Sequence, residues 1–412
     1  MHWCHLPLLR EHHRGAEQAS YDARRRRHSP DQFSLRIFIA TRRCTDMNEQ
    51  TNAWPTATEP ADSVLRVGML RINTKYVWQP QHTACAMMYT ARQFDIELFL
   101  FHPDDVDLKT RTINGLFLVH NEKVRKRVPF PPVIENSILD EKEYGELLRE
   151  LEKDSVLVRH PLRTTKLRTY DTLVRDGRFA SILIPTEKFA SPDQIIAALE
   201  KHGNIIIKPA SGGRGSGVRR LSKQTGSYLL TEKNTTQHLD EVGLVKFLRE
   251  LEDRKVTYVW QPYIGSRTKS GNPFDIRIHA RRGHKGKFQI HLFPRIGNAT
   301  GVVSNISSGG YSMDINVFLR QEFGDMHGKV KNELVNLGNV FPEYYQSFHK
   351  PTTLFDVGLD IGIQQCDGVP SLHLFEVNTY IDGPFFEIED AITHFEYFRH
   401  LEEQRTRQKA VS

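Results

Sequence analysis

Apolar and polar residues follow two different periods along this chain. Short runs rich in β-branched and aliphatic side chains predict strands at residues 64–72 (VLRVGMLRI), 97–101 (ELFLF), 114–119 (NGLFLV), 257–264 (TYVWQPYI), 274–281 (FDIRIHAR), 288–296 (FQIHLFPRI) and 372–378 (LHLFEVN). A three-to-four spacing predicts helices around 83–94, from Lys166 to Val174, over 191–202 and over 239–251. Thr164 or Thr165 is a candidate N-cap for the helix at Lys166, and Ser191-Pro192-Asp193 fills the N-cap, N1 and N2 positions of the next. Pro129, Pro131 and Pro132, following the basic stretch 123–127, break regular structure.

One stretch organises the rest, residues 203–221, GNIIIKPASGGRGSGVRRL. The triplet Ile205, Ile206, Ile207 favours a buried strand and delivers Lys208 to its end, where an ammonium can meet phosphate oxygens. Gly212, Gly213, Gly215 and Gly217 then free the backbone to turn N–H groups toward an anion, with Arg214 and Ser216 as further donors. Val218 to Leu221 reads as a return strand, so the stretch is neither a Walker loop nor a dinucleotide fingerprint. A β-hairpin with a glycine-rich turn fits the same residues equally well.

Alternation also sorts the later strands. It puts Asp275, Arg277 and His279 on one face of 274–281 and Phe274, Ile276 and Ile278 on the other. That charged face suits a structural salt bridge as well as a site. Within 372–378, alternation places Leu374, Glu376 and Asn378 together, and a carboxylate with an amide oxygen suits Mg²⁺. Gln261 and Pro262 interrupt the 257–264 strand, as a hinge would, although an edge proline in a core strand reads the same. His102, Asp104 and Asp105 read as an Asp-Pro turn, and His279 and His291 as sheet-face histidines.

Composition narrows the classes. With 412 residues, 39% of them hydrophobic and 26% charged, the chain can bury two or three cores. No apolar run reaches the roughly 20 residues of a membrane span, and 1–14 lack the apolar core of a secretory signal, so a cytoplasmic protein is expected. The four cysteines form no CxxC pair, which argues for reduced thiols and against metal bound through sulfur. The net charge of +6 suggests nucleic acid until it is mapped: residues 1–46 carry nine arginines against five acids. The body is nearly balanced, so no nucleic-acid partner is expected and 1–63 reads as a disordered basic and polar leader, with Met47 as an alternative start.

In order, Lys166, Lys208 with its glycine loop, YVWQPYI, FDIR, Arg295 with Asn305, and FEVN resemble the landmarks of an ATP-grasp enzyme. TINGLFL, PFPPVIENSI and PRIGNATGVVSNISSGG resemble more closely its endospore-coat-associated YheC/YheD branch, over roughly 64–401. The resemblance implies an α+β fold in which two lobes clamp ATP, preceded by an N-terminal α/β domain that lines part of the substrate cleft. The expected division is 64–139 for that domain and 140–412 for the ATP-grasp domain, with the hinge at 261–264.

The resemblance also implies roles. Lys166 and Lys208 would meet the α- and β-phosphates, Gln261, Tyr263 and Ile264 would hold adenine, and Arg277, Arg295 and Asn305 would lie at the reacting groups. Glu376 and Asn378 would hold Mg²⁺, or Mn²⁺ in its place. Twelve residues before Glu376, where related ligases carry a metal-binding aspartate, this chain has Gln364, with Asp356 and Asp360 offset, so the first metal position is expected to be weak or differently held. The implied chemistry is ligation of a carboxylate to an amine, with an amino acid or peptide as substrate, through an acyl phosphate with release of ADP and phosphate. Two alternatives stand beside it: an ATP-binding coat or assembly module without turnover, and a kinase on another small substrate. Spore-coat association follows from the resemblance alone, and homo-oligomerisation stays open.

Overall fold

The computed structural model describes residues 64–72, 81–119, 122–136, 141–159, 164–213, 215–304, 309–350, 352–379 and 387–411. The leader 1–63 with Met47, and the site candidates Arg214 and Asn305, lie outside the described residues.

The first sheet comprises β1 (Leu65–Leu70), β2 (Ile96–Phe101), β3 (Val106–Asp107), β4 (Thr112–Val119), β5 (Glu122–Pro129), β6 (Val133–Asn136) and β7 (Val156–Arg159). Helix α1 (Gln81–Gln93) links β1 to β2, and α2 (Glu141–Glu152) links β6 to β7. The order is β3-β4-β2-β1-β6-β7 with β5 paired to β4; β1 runs parallel to β2 and β6, and β6 parallel to β7. Gly115 lets β4 approach its neighbour, since a Cβ there would stand 2.4 Å from the Phe99 ring. The sheet continues past Leu139, because α2 returns the chain and β7 pairs along all of β6.

The second sheet is antiparallel. After α3 (Lys166–Asp176) come β8 (Glu187–Lys188), α4 (Pro192–His202), β9 (Asn204–Pro209), β10 (Arg219–Gln224), β11 (Ser227–Glu232), β12 (Thr235–Leu239), α5 (Glu241–Glu252) and β13 (Tyr258–Pro262), in the order β12-β11-β10-β9-β13-β8. Ile205, Ile207, Leu221 and Trp260 are buried with Leu199 of α4 and Leu244 and Leu248 of α5. By strand alternation, Ile206, Lys208, Arg220 and Gln261 therefore share the other face. The strand does not break at Gln261-Pro262: both pair with β9, opposite Ile206 and Ile205, and the chain leaves the sheet only after Pro262.

The third sheet, β15-β14-β16-β17, is built from β14 (Phe274–Arg282), β15 (Phe288–Ile296), β16 (Asp356–Cys366) and β17 (Val369–Asn378). Helices α6 (Ile315–Phe323) and α7 (His327–Gln346) cover one face, where Phe318, Leu334 and Phe341 meet Ile276, Ile278, Leu359 and Ile361. The final helix, α8 (Glu387–Val411), returns to the first sheet, burying Ala391, Phe395 and Phe398 against Val67, Leu98 and Val133. All three sheets lie in one compact unit, Pro60–Ser412.

Candidate active site

Two lysines of the second lobe reach the third sheet. Thr165 caps α3 by accepting from the Arg168 amide, and the Lys166 amide donates to Ala210 O at 2.9 Å, which sets the helix start beside the end of β9. The Lys166 ammonium then lies 2.8 Å from Gly212 O and 3.0 Å from the Glu376 carboxylate. Lys208, buried at the end of β9, donates to Phe375 O at 3.3 Å. Burial pulls its pKa down from 10.5 to about 8, against the attraction of Glu376 and Asp360 and with the help of Lys166. Gly212, Gly215 and Gly217 take φ of +115°, +68° and +71°, conformations open to glycine, and Ser216 N donates to Gly213 O.

Opposite this loop, charges interlock on the polar face of β14. Arg295 grips Asp275 through Nε at 2.6 Å and Nη2 at 2.8 Å, and Ser304 adds its hydroxyl to the same carboxylate. A further bond from Arg295 Nη2, 2.9 Å long, reaches Asp360, which also accepts from Arg277 Nε at 2.5 Å. Burial disfavours the Asp360 charge, but the two guanidinium groups hold its pKa below the ordinary value. For Arg295 burial likewise opposes the charge, while Asp275 and Asp360 keep its pKa above normal. Deeper in the sheet, Arg281 joins Asp356 and Asp390, and His279 lies 3.5 Å from Asp356; burial lowers that histidine's pKa. His279 serves this internal network, as a sheet-face residue does.

The β16–β17 register rearranges the metal-binding candidates. Glu376 stands opposite Asp360, yet the next pair is Ile361 with Leu374, so Phe375 is an extra residue in a bulge. Leu374 consequently turns into the core while Glu376 faces the cleft, which separates residues that strict alternation puts together. Asn378 remains with Glu376 and donates to Asp360 at 3.4 Å. Gln364 does not join them. It pairs with Ser371, four residues or about 13 Å along the strand from Asp360, and its side chain accepts from Gly265 N at 3.3 Å. A count of twelve lands there because the hairpin to the Asp367–Gly368 turn is long. Asp360 is the carboxylate that geometry places beside Glu376, and only the ladder register reveals it.

The end of β13 and the stretch after it are held just as closely. Gln261 is buried and donates to Thr186 Oγ at 2.6 Å, Tyr263 N donates to Asn204 O at 3.1 Å, and Ile264 O accepts from Ser266 N at 2.9 Å. The Arg220 guanidinium lies 4.0 Å from the Tyr263 ring centre and is steadied by Asn204 Oδ1. Ser266 fixes this segment to the third sheet, donating to Phe274 O of β14 and accepting from Ile363 N of β16.

Asp360 and Glu376 are ladder partners and Asn378 turns its amide nitrogen to Asp360, so two carboxylates and one amide, groups whose oxygens are of the type that suits Mg²⁺, lie together, with Asp360 already bound to Arg277 and Arg295. Among the described residues no group of three or more His, Cys, Asp or Glu is placed to hold a metal, so the amide would have to complete the set.

A glycine-rich loop with one lysine at the end of an antiparallel strand and another at a helix start, meeting carboxylates and arginines on a second antiparallel sheet, is the arrangement of an ATP-grasp protein, a class that binds ATP. The chain belongs to the YheC/D-like ATP-grasp family, which matches residues 157–401. It is 23% identical over 328 residues to the endospore coat-associated protein YheD of Bacillus subtilis, covering 74% of this chain and 71% of that protein. Over 206 residues it is 27% identical to the endospore coat-associated protein YheC of the same organism, covering 46% of this chain and 54% of YheC. Among solved structures, D-alanyl-alanine synthetase A of Vibrio cholerae aligns with 84% of this chain and 94% of its own at 13% identity and a TM-score of 0.45, too distant a likeness to bear on chemistry. No helix among the described residues is long and apolar enough to cross a membrane.

Proposed function

We propose that this protein is an ATP-dependent carboxylate–amine ligase that activates its substrate as an acyl phosphate and releases ADP and phosphate. The observation that carries this reading is the convergence of Lys166 and Lys208 on Glu376 and the Phe375 carbonyl, next to Asp360 and Asn378. Phosphate-binding cations and metal-binding oxygens then share one cleft, which a plain glycine-turn hairpin would not produce.

In this reading Lys166 and Lys208 bind the α- and β-phosphates, and the segment from Gln261 to Ile264 receives adenine. Asp360, Glu376 and Asn378 would hold Mg²⁺, which offsets charge on the phosphate oxygens. Asp275, Ser304 and Asp360 orient Arg295 and Arg277 before any substrate arrives. Those guanidinium groups stabilise the transferring phosphoryl group and then the tetrahedral oxyanion formed when the amine attacks the acyl phosphate. The amine's proton passes to solvent or base as phosphate leaves, and no enzyme nucleophile is required.

Gln364 does not count against turnover in this reading, because its side chain accepts from Gly265 N and a carboxylate, Asp360, stands opposite Glu376. The deciding experiment is ADP release from Mg·ATP against pooled amino acids and short peptides. Release that needs both a carboxylate and an amine supports the ligase. Release with a hydroxyl compound alone favours a kinase, and ATP binding without release in any pool favours the module.

A further inference from the structure

Arg267 directs its donors at oxygens from three segments. Its Nε donates to the Tyr263 hydroxyl at 3.0 Å, Nη1 to Gly271 O at 2.5 Å and Ala299 O at 3.1 Å, and Nη2 to Gly301 O at 3.1 Å. Ala299 and Gly301 belong to the loop that leaves β15 after Arg295 and leads to Ser304, whose hydroxyl meets the Asp275 carboxylate that grips Arg295. The same loop touches the other lobe, since Val302 N donates to Lys233 O at 3.2 Å in the turn between β11 and β12. Its base is closed by Gly297 N to Pro273 O, by Asn272 Nδ2 to Gly297 O, both at 2.8 Å, and by the mutual 2.9 Å pair of Ile296 with Tyr311.

A solvated arginine on a polar loop keeps its head group in water. A planar fork with donors on Nε, Nη1 and Nη2 is instead suited to oxygens at fixed angles, and a lysine ammonium cannot span them. We propose that Arg267 is a positioning residue: it ties the hinge at Tyr263 to the loop carrying Ser304, so that this loop stays latched against the β11–β12 turn while Arg295 keeps its orientation. The inference rests on the ligase reading in one respect, that the Arg295 end of the cleft faces the terminal phosphate.

The test compares amide exchange in the full-length wild type, Arg267→Lys and Gly301→Ala. Arg267→Lys should speed exchange over residues 299–304 at least tenfold and leave strand 258–262 unchanged. With nucleotide, its preference for Mg·ATP over Mg·ADP should fall about fivefold while ADP affinity is retained, an outcome that general loosening of the fold would not give. Gly301→Ala strikes the latch with Arg267 intact, because a Cβ there would stand 2.9 Å from Asn234 Oδ1 and 3.1 Å from Asn298 O. It should reproduce the faster exchange, and adding Asn234→Ala should restore part of the protection. Unchanged loop exchange in Arg267→Lys overturns the proposal, and so does an unchanged ATP-to-ADP preference. If Arg267→Lys does not fold, wild-type exchange and nucleotide preference in Gly301→Ala overturn it instead. Absence of nucleotide binding by the wild type would sink the ligase reading, while the exchange comparison would still decide the latch.

Discussion

Asp360 faces Glu376 across the β16–β17 ladder, with the Asn378 amide 3.4 Å from the Asp360 carboxylate. That pairing leads to a prediction about magnesium. Asp360→Asn keeps the shape but removes a charge from the oxygen set, so Mg²⁺-dependent ADP release should fall about 100-fold or more, a loss of roughly 3 kcal/mol in transition-state stabilisation. Gln364→Asp, in contrast, should leave the Mg²⁺ requirement unchanged, because that side chain meets Gly265 N. A lowered requirement in Gln364→Asp would show that the ladder register misplaces the metal site.

Lys208 makes the protein respond to alkaline pH. Its pKa lies near 8 in the fold, against 10.5 for the free side chain, so between these values the unfolded chain binds more protons. Stability of the nucleotide-free protein should therefore rise as pH climbs from 8 to 10.5, by on the order of 3 kcal/mol from this group. ATP favours the charged lysine, so its affinity should weaken over the same climb. Denaturant titrations and calorimetry at pH 7.5, 9 and 10 measure both, with Lys208→Met as the control. If the control keeps the same two slopes, another group is responsible.

Gly362 connects packing to the site. A Cβ there would stand 2.1 Å from the ring of Phe375, the bulge residue whose carbonyl accepts from Lys208. Gly362→Ala must push the ring and its bulge aside, at a cost of about 1–3 kcal/mol. The melting temperature should drop and ATP affinity should fall with it. A variant as stable as wild type with unchanged ATP binding would mean that the bulge is not held by this contact.

Some of this was legible in the sequence because the signals are local. Ile205 to Lys208 with the following glycines announce a strand and a loop within fifteen residues, and Thr165 and Ser191 cap the helices that begin after them. Phe274, Ile276 and Ile278 do enter the core opposite Asp275 and Arg277, as period-two alternation requires. What was hidden depends on length and register. Hairpin length leaves Gln364 opposite Ser371 and puts Asp360 opposite Glu376, and one bulge residue turns Leu374 away from Glu376. Short β6 and β7 lie on either side of α2 and carry little pattern of their own. Arg267 looks like any charge in a polar loop, since its partners are carbonyls whose positions no side-chain pattern reports.

The last prediction concerns Glu376. Its carboxylate sits 3.0 Å from the Lys166 ammonium and opposite Asp360 on the ladder, so in the proposed ligase it meets both nucleotide and metal. Glu376→Gln retains an oxygen ligand and the side chain's size while losing the charge. In the proposed ligase, Lys166, Lys208 and the segment from Gln261 to Ile264 carry nucleotide binding, so ATP affinity should change by less than about fivefold, within the 1 kcal/mol that a partly exposed ion pair contributes. Turnover should fall much further, by about 100-fold or more, because charge on the transferring phosphoryl group is offset most strongly in the transition state. Asn378→Asp keeps an oxygen and adds a charge, and should be milder. Calorimetry with Mg·ATP and substrate-dependent ADP release for both variants separate the two effects. Equal losses in binding and turnover for Glu376→Gln would place this residue in nucleotide binding alone, and wild-type turnover would remove it from the site.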